Sequence, residues 1–307
     1  MHKHSWTLSE IPDLRGKTIV VTGGNSGLGY ESVKAFAEKG ANLIMACRSI
    51  EKGEIAKKQI LRLRKSAIIQ VMELDLADLK SIRNFVEDFK QNNAHLDVLL
   101  NNAGVMVAPY SLTKDGFESQ MGTNLLGHFA LTGLLLDLLK KTPKSRVVNI
   151  TSLSHKQGIM DFDNLLFENG KDFTSMKAYG RSKLSILLFT YELKRFFESK
   201  GIDCISVAAH PGIANTYNSG RVESSWSMKL FKSLFSNIIQ SANMGALPQI
   251  RASVDTNVKS GEFYGPGGLL ELSGYPSLVI PKQTAYDVDN ARKLWEISEK
   301  LTSVKFN

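Results

Sequence analysis

The stretch TIVVTGGNSGLG, residues 18–29, decides the fold of this chain. Its first five residues form an apolar, β-branched run typical of a buried strand, and glycines follow at positions 23, 27 and 29, ahead of a helical pattern. Glycine lets the backbone turn tightly and approach a ligand, and a helix N-terminus directs unpaired N–H groups at negative charge. The stretch therefore predicts a strand, a pyrophosphate-binding turn and a helix, in that order.

The spacing of these glycines is Gly-x-x-x-Gly-x-Gly, which differs from the Gly-x-Gly-x-x-Gly of the more common dinucleotide fingerprint. A glycine-rich turn is a much stronger signal between a first strand and a first helix than in isolation. We predict that the cofactor contacts the following residues of the turn: Gly23, Asn25, Ser26, Gly27, Leu28 and Gly29.

Outside this stretch, short apolar runs alternate with longer amphipathic segments. The strand-like runs are Thr18 to Thr22, Asn42 to Ala46, Ile68 to Glu73, Val98 to Asn101, Arg146 to Ser152 and Cys204 to Ala209. The helix-like segments are Gly29 to Lys39, Glu51 to Arg64, Leu79 to Gln91, Phe117 to Lys140 and Tyr179 to Ser199. The alternation predicts an α/β, doubly wound Rossmann fold, with a mostly parallel seven-stranded sheet and helices on both of its faces.

We expect one domain over residues 1–307, because no repeat, low-complexity tract or Pro/Gly-rich linker divides the chain. Apolar residues recur at helical spacing from Arg221 to Met244, which fits either a core or interface helix or a lid over a lipophilic substrate. We assign residues 215–260, approximately, to this substrate-side segment. Ser277 to Ile280 is expected to add an edge strand before a final helix, Val288 to Leu301.

The formal charge of +8 raises the question of a polyanionic partner. The densest basic stretch lies at residues 57–65, where apolar residues alternate with the cations at helical spacing, so a solvated helix face is the better interpretation. No zinc finger, aromatic RNA platform or recognition-helix pattern is present in the sequence. We expect no nucleic-acid partner.

Cys47 and Cys204 each lie in an apolar run, which predicts buried, reduced thiols and neither a disulfide framework nor a metal site. No apolar run reaches the length of a membrane span, and the N-terminus lacks the apolar core of a signal peptide. The sequence therefore predicts a soluble, cytoplasmic protein.

The second strand-like run leads into Arg48, where an NAD-selective protein of this architecture places an acidic residue against the ribose hydroxyls. A carboxylate repels a 2′-phosphate, whereas a guanidinium binds it through charge-assisted hydrogen bonds. Arg48 therefore favours NADP(H) over NAD(H).

Tyr179 and Lys183 are four residues apart on a predicted helix, so they share a face. A free phenol titrates near ~10, but a neighbouring ammonium and a nicotinium ring both stabilise the phenolate. Tyr179 then becomes a usable proton donor and acceptor. Ser152, at the end of a strand, is placed to hydrogen-bond the same substrate oxygen.

These residues form an ordered set. Asp75-Leu76, Asn101-Asn102-Ala103-Gly104, Ser152 and Tyr179-x-x-x-Lys183 follow the glycine turn, and together they resemble the short-chain dehydrogenase/reductase family, especially its retinol-dehydrogenase-like branch. The resemblance extends from about Leu14 to the C-terminal helix. Tyr-x-x-x-Lys alone is common by chance, but the ordered combination is highly specific.

The resemblance implies further roles. Asn124 completes a catalytic tetrad with Ser152, Tyr179 and Lys183 by supporting a water relay to that lysine, which also holds the nicotinamide ribose. The residues implied to bind other parts of the cofactor are Asp75, Leu76, Asn101, Asn102, Ala103, Gly104, Pro211, Gly212, Ile213 and Thr216. Helices Phe117 to Lys140 and Tyr179 to Ser199 resemble those that pair in family dimers and tetramers. The resemblance is compatible with a homodimer or homotetramer, and the alternative is that the C-terminal extension blocks one of these surfaces.

One feature departs from the common family pattern: Ser152 and Tyr179 are 27 residues apart (179 − 152). The longer connection resembles that of the retinol-dehydrogenase-like branch. Ser152 is favoured over Ser154 as the catalytic serine. His155 is read as a structural or solvent-exposed loop histidine and receives no catalytic role.

The sequence thus predicts an NADP(H)-dependent oxidoreductase that interconverts a carbonyl and an alcohol, with a hydrophobic substrate and no metal. One alternative is a C=C reductase of the protochlorophyllide-reductase type, which shares the motifs. A second is a non-catalytic NADP(H)-binding sensor, against which the intact set of Asn124, Ser152, Tyr179 and Lys183 argues.

Overall fold

The computed structural model describes residues 5–214 and 240–307. Within them, eight strands form one sheet in the order β3-β2-β1-β4-β5-β6-β7-β8. The pairs from β3 to β7 are parallel, and β8 runs antiparallel to β7. The strands are β1 Thr18–Thr22, β2 Asn42–Cys47, β3 Ile68–Glu73, β4 Val98–Asn101, β5 Ser145–Ile150, β6 Cys204–Ala209, β7 Phe263–Pro266 and β8 Pro276–Leu278.

Helices cover both faces of the sheet. They are α1 Gly27–Glu38, α2 Ile50–Leu63, α3 Leu79–Asn92, α4 Gly127–Leu134, α5 Leu136–Lys141, α6 Ser175–Lys200, α7 Ala242–Val254 and α8 Val288–Thr302. Successive side chains of a strand point to opposite faces, so β1 contributes Val20 to the core beneath α3, α4, α6 and α8. Ile19 and Val21 belong to the second core, beneath α1, α2 and α7. The doubly wound α/β architecture is confirmed.

The strand count needs a correction, because the sheet has eight strands and not seven. The additional strand, β7, contains Gly265 and Pro266, and this composition is more typical of a turn. A Cβ on Gly265 would lie 2.1 Å from His210 Nε2, so the glycine is there to admit a buried ring and not to bend the chain. The expected edge strand is present as β8.

The predicted helix from Phe117 to Lys140 is interrupted. A short helical turn, Ser119–Met121, leads into a π-helical turn at Gly122–Leu126, and only then do α4 and α5 follow. In the π turn the Gly127 N–H bonds to the Gly122 carbonyl, five residues back. Hydrophobic spacing does not reveal such an insertion, because the apolar face continues on both sides of it.

The substrate-side segment at 215–260 can be described only from residue 240 onward, and residues 215–239 lie outside the described residues. Helix α7 packs into the core beside α1, with Leu247 and Ile250 buried. Ala214 and Gln240, which flank the undescribed stretch, form a parallel β-bridge. The lid hypothesis therefore concerns only residues 215–239.

Both cysteines are buried free thiols, as predicted, and burial raises the pKa of Cys47 and brings that of Cys204 to about 12. On α2, Lys58 and Arg62 are exposed, which agrees with a solvated basic face. Among the described residues, no helix is both long and apolar enough to cross a membrane.

Candidate active site

The glycine turn is folded tightly between β1 and α1. Gly23 and Gly27 have positive φ angles of 66° and 53°, which L side chains rarely adopt. A Cβ on Gly29 would lie 2.3 Å from the Gly23 carbonyl oxygen and 2.6 Å from Asn102 Nδ2. A side chain at position 29 is therefore excluded by backbone from the same turn.

Helix α1 begins immediately after this turn, with Ser26 as its N-cap residue. The Ser26 side chain is exposed and makes no capping hydrogen bond, and Asn25 before it is partly buried. The first N–H groups of α1, from Gly27 to Gly29, are thus not capped by that hydroxyl. A helix start of this kind suits a phosphate group.

Hydrogen bonds join the ends of β1 and β4 beside the glycine turn. Thr22 Oγ1 accepts the backbone N–H groups of Asn102 and Ala103, both at 2.9 Å, and the Asn102 amide donates to the Thr22 carbonyl at 2.8 Å. The other side-chain atom of Asn102, Oδ1, accepts from Gln249 of α7 at 3.0 Å. Asn102 and Ala103 are thereby held against the glycine turn.

The ends of β2 and β3 lie next to each other on the same edge of the sheet. Arg48 follows β2, is exposed, and makes no hydrogen bond or ion pair within the described part of the chain. Asp75 follows β3, and its side chain accepts the Ala77 N–H at 3.0 Å. Leu76 is buried, and its carbonyl would lie 2.4 Å from a Cβ on Gly127.

Tyr179 and Lys183 lie on one face of α6, in its second and third turns, and both are buried. Lys183 Nζ lies 5.6 Å from the centre of the Tyr179 ring and donates to the Ile150 carbonyl at 3.0 Å. Burial lowers the pKa of Lys183 to about 8. The Thr151 hydroxyl, which donates to the Lys183 carbonyl at 2.7 Å, fastens this part of α6 to the end of β5.

Asn124 lies in the π turn and is fully buried. Its Oδ1 accepts the Val105 N–H at 2.8 Å, and its Nδ2 donates at 3.0 Å to both the Val105 carbonyl and Ser182 Oγ. A Cβ on Gly104 would lie 3.0 Å from Asn124 Oδ1 and 3.6 Å from Lys183 Nζ. Gly104 thus leaves open the space that Asn124 and Lys183 border.

Ser152 follows β5 and caps a 3-10 turn, Leu153–Gln157. Its Oγ accepts the Ser154 N–H at 3.2 Å, and its carbonyl lies 2.7 Å from His155 Nδ1. His155 Nε2 accepts the Lys282 N–H, so Nδ1 carries the proton and donates to Ser152. Burial lowers the pKa of His155 to about 4, which keeps the ring neutral. His155 is buried, and both ring nitrogens are bound to backbone.

The Pro211-Gly212-Ile213 turn after β6 is also fixed by a buried histidine. Gly212 donates its N–H to His210 Nδ1 at 3.2 Å, and His210 Nε2 donates to Glu271 at 3.0 Å. The Ile213 N–H bonds to the Leu272 carbonyl at 2.8 Å. Thr216, predicted to lie near the pyrophosphate, is outside the described residues.

The connection between Ser152 and Tyr179 is organised by Arg181, which lies inside the Tyr-x-x-x-Lys motif. Its guanidinium donates to the carbonyls of Ile159, Asn164 and Leu165 at 3.1, 2.6 and 3.1 Å, and it lies 4.0 Å from the centre of the Phe167 ring. Three apolar residues of this connection pack on the core, Phe162, Leu165 and Leu166, and Phe167 is buried against Arg181 and Phe173.

Sequence reasoning did not find the roles of Arg181, His128, His210 and Gln249. Position gave a clue for two of them, because Arg181 lies within the tyrosine motif and His210 immediately precedes the Pro-Gly turn. The sequence does not reveal that their side chains are buried against backbone groups of the site.

A doubly wound parallel sheet, a glycine turn at its first helix and a Tyr-x-x-x-Lys pair at the same carboxyl edge define a dinucleotide-binding oxidoreductase. Residues 17–164 match the family described as short chain dehydrogenase. Human retinol dehydrogenase 11 is 40% identical to this chain, in an alignment that covers 93% of this chain and 85% of that protein. Human retinol dehydrogenase 13 is 38% identical, in an alignment that covers 94% of this chain and 86% of that protein.

Among solved structures, an uncharacterised protein from Mycobacterium paratuberculosis superimposes with a TM-score of 0.82 at 36% identity, over 99% of this chain and 100% of that one. The NADP complex of RhlG from Pseudomonas aeruginosa shares the fold, with a TM-score of 0.64 at 21% identity. The superposition covers 82% of this chain and 94% of that one. The chain belongs to the short-chain dehydrogenase/reductase family. It is an oxidoreductase of the retinol-dehydrogenase-like branch.

Proposed function

We propose that this protein is an NADP(H)-dependent oxidoreductase that interconverts a hydrophobic aldehyde or ketone with the corresponding alcohol. The observation that carries the proposal is the buried pair of Tyr179 and Lys183, which lies at the same edge of the sheet as the glycine turn. A buried ammonium beside a phenol is an arrangement for proton transfer, because the charge stabilises the phenolate.

The chain's own groups supply the proton chemistry. In reduction, Tyr179 donates its phenolic proton to the carbonyl oxygen, and Ser152 Oγ donates a hydrogen bond to the same oxygen. In oxidation, the Tyr179 phenolate accepts the proton of the alcohol. Lys183 stabilises that phenolate, and Asn124 completes the tetrad by holding the backbone at Val105 and supporting a water relay to Lys183.

The residues present fit a dinucleotide. Position 29 has no room for a side chain, and the first turn of α1 is not capped by Ser26, as a bound pyrophosphate requires. Arg48 is an exposed cation at the end of β2, where a 2′-phosphate would be bound. When bound, the nicotinamide supplies or accepts the hydride. Lys183 would hold the nicotinamide ribose, and the turn at Pro211 would meet the carboxamide.

A hydrophobic substrate is supported by apolar side chains exposed next to the catalytic residues in the chain. Met106 lies two residues after Gly104, Ile159 lies in the connection after Ser152, and Met176 lies three residues before Tyr179. They are 47%, 70% and 45% exposed. Exposed apolar side chains suit contact with an apolar ligand. Retinol, which appears in the names of the relatives, is itself a hydrophobic alcohol.

The test is an NADPH-oxidation screen over aliphatic, aromatic and terpenoid carbonyls, with Tyr179→Phe as the paired variant. We expect turnover of at least one hydrophobic carbonyl, and a loss of kcat of roughly 10²–10⁴-fold in the variant, because the proton donor is gone. NADPH binding by the variant should persist. Undiminished turnover in Tyr179→Phe would overturn the mechanism, and a saturated ketone as product would identify a C=C reductase.

Three further parts of the proposal concern organisation. We propose that residues 1–307 act as one domain, with the stretch at 215–239 on the substrate side. We also propose a cytoplasmic location and a homodimeric or homotetrameric assembly. Light scattering of the purified protein measures the assembly, and fractionation of the cells that make it measures the location.

A further inference from the structure

His128 lies in the first turn of α4, between the cofactor side and the catalytic side of the site. It is buried, with 3% of its surface exposed. Its Nδ1 lies 3.0 Å from the Asn124 carbonyl oxygen, and its Nε2 lies 2.9 Å from Thr22 Oγ1. One ring therefore touches the strand that leads into the glycine turn and the π turn that carries Asn124.

The partners determine which nitrogen carries the proton. The Asn124 carbonyl can only accept, so Nδ1 must donate. Nε2 of the neutral ring then accepts the Thr22 hydroxyl proton, for which the Leu100 carbonyl at 3.4 Å is a more distant acceptor. The N–H groups of Asn102 and Ala103 donate to the same hydroxyl oxygen. Each hydrogen bond in this series thus has a defined direction.

The neutral state of His128 is favoured by its surroundings. Burial lowers its pKa to about 4, the hydrogen bond to Asn124 opposes this effect, and the nearby ammonium of Lys183 adds to it. A second positive charge beside Lys183 would be unfavourable in this low-dielectric position. At neutral pH the ring therefore acts as an oriented donor and acceptor and not as a charge.

From Asn124 the series continues to the catalytic helix. Asn124 Nδ2 donates to Ser182 Oγ at 3.0 Å, and the Ser182 hydroxyl donates to the Tyr179 carbonyl at 2.8 Å. Ser182 lies next to Lys183 on α6. Five groups, Thr22, His128, Asn124, Ser182 and Tyr179, thus connect the end of β1 to the helix that carries the proton donor.

We propose that His128 is a positioning residue with two separate contacts: Nε2 holds Thr22, at the start of the glycine turn, and Nδ1 holds the turn that carries Asn124 of the catalytic tetrad. The inference rests on the proposed function. It predicts that the two ring nitrogens affect different constants: loss of the Nε2 contact weakens NADPH binding, and loss of the Nδ1 contact lowers kcat.

Two substitutions separate the contacts. His128→Asn keeps an amide near the position of Nδ1 but does not reach Thr22, whereas the longer His128→Gln reaches toward Thr22 and leaves the Asn124 carbonyl without its donor. For His128→Asn we expect the NADPH Kd to rise roughly 10-fold while kcat stays nearly unchanged. For His128→Gln we expect kcat to fall roughly 10-fold while the NADPH Kd stays nearly unchanged. Each change corresponds to the loss of one hydrogen bond. NADPH Kd is measured by fluorescence titration.

His95→Gln is the matched control, because His95 is half-exposed at the opposite edge of the sheet, near Gly16 and Thr18. It should alter neither constant. Parallel changes in Kd and kcat for both His128 variants, or no change in either, would overturn the proposal. If the wild-type protein binds NADPH but reduces no carbonyl, the proposed function fails, while the Kd comparison still tests the contact with Thr22.

NMR of protein with ¹⁵N-labelled histidine gives a readout that does not depend on activity or on the stability of the variants. We expect His128 to show a protonated Nδ1 and an unprotonated Nε2, with no titration between about pH 5.5 and 8. An Nε2–H tautomer, or a ring that titrates in this range, would contradict the assigned direction of the hydrogen bonds and overturn the proposal.

Discussion

The predicted preference for NADP(H) over NAD(H) depends on one exposed side chain, that of Arg48. Arg48→Asp should raise the NADPH Kd by roughly 10- to 100-fold, because charge-assisted hydrogen bonds to the 2′-phosphate are replaced by repulsion. The NADH Kd should change little. Arg64→Asp makes the same charge change at the exposed end of α2 and serves as the control for net charge. An unchanged NADPH preference in Arg48→Asp would remove Arg48 from the cofactor site.

Gly29 tests the glycine turn itself. In Gly29→Ala the new Cβ would lie 2.3 Å from the Gly23 carbonyl oxygen, which is backbone and cannot rotate away. We expect the turn to shift and NADPH affinity to fall by at least about 10-fold, because the backbone no longer matches the pyrophosphate. Isothermal titration calorimetry measures the change.

Gly16→Ala is a suitable comparison for Gly29→Ala. Gly16 has a φ of 77° but nothing within 4 Å of its added Cβ, so the substitution strains the backbone away from the site without a clash. It should lower stability modestly and leave NADPH affinity unchanged. Equal affinity losses in the two variants would mean that general destabilisation, and not the shape of the turn, determines binding.

At the scale of elements, Arg181 determines how the long connection after Ser152 packs on α6. Its guanidinium is buried and donates hydrogen bonds to three backbone carbonyls. Lysine keeps the charge but lacks the planar fork, so Arg181→Lys leaves carbonyls unpaired. We expect the free energy of unfolding to fall by about 2 kcal/mol, as measured by urea denaturation.

Arg195→Lys is the matched control for Arg181→Lys, because Arg195 lies on the same helix but, among the described residues, pairs with one side chain, the partly buried Glu192 three residues earlier. An ion pair between neighbouring turns of one helix contributes about 0.3–0.5 kcal/mol, and lysine keeps the charge, so the control should lose less than that. If both variants lose the same stability, the connection does not depend on Arg181.

Element boundaries also show where sequence reasoning succeeds. The predictions for β1, β3, β4 and β6 match the structure residue for residue, because each is a short apolar run bounded by polar or turn residues. The π turn around Asn124 was not predicted. One extra residue in a helical turn leaves the local pattern almost unchanged, and the main-chain hydrogen bond from Gly127 to Gly122, five residues back, is what distinguishes it.

For the whole molecule, the buried histidines predict acid sensitivity. In the unfolded chain a histidine titrates near ~6.5, whereas burial keeps the folded pKa of both His128 and His155 at about 4. Between these values the unfolded state binds more protons, so the stability present above pH 6.5 is lost as the pH falls toward 4. From pH 7 to 5 the loss should be roughly 2 kcal/mol per histidine.

Urea denaturation at pH 7, 6 and 5 measures this decline. His95→Gln should leave the decline unchanged, because His95 is about half exposed and its removal alters no buried ring. A free energy of unfolding that is the same at pH 7 and pH 5 would contradict the neutral, buried state of His128 and His155.

The sequence by itself determined the α/β class, the strand–glycine turn–helix unit and the ordered motifs of the family. These are local features, in which periodicity, turn residues and four-residue helical spacing act over short stretches of chain. The tertiary structure alone decided that β7 joins the sheet and that α7 packs in the core. It also decided that His128, His155 and His210 are bound to backbone beside the site. Burial and hydrogen-bond partners arise between residues distant in sequence, so no local pattern encodes them.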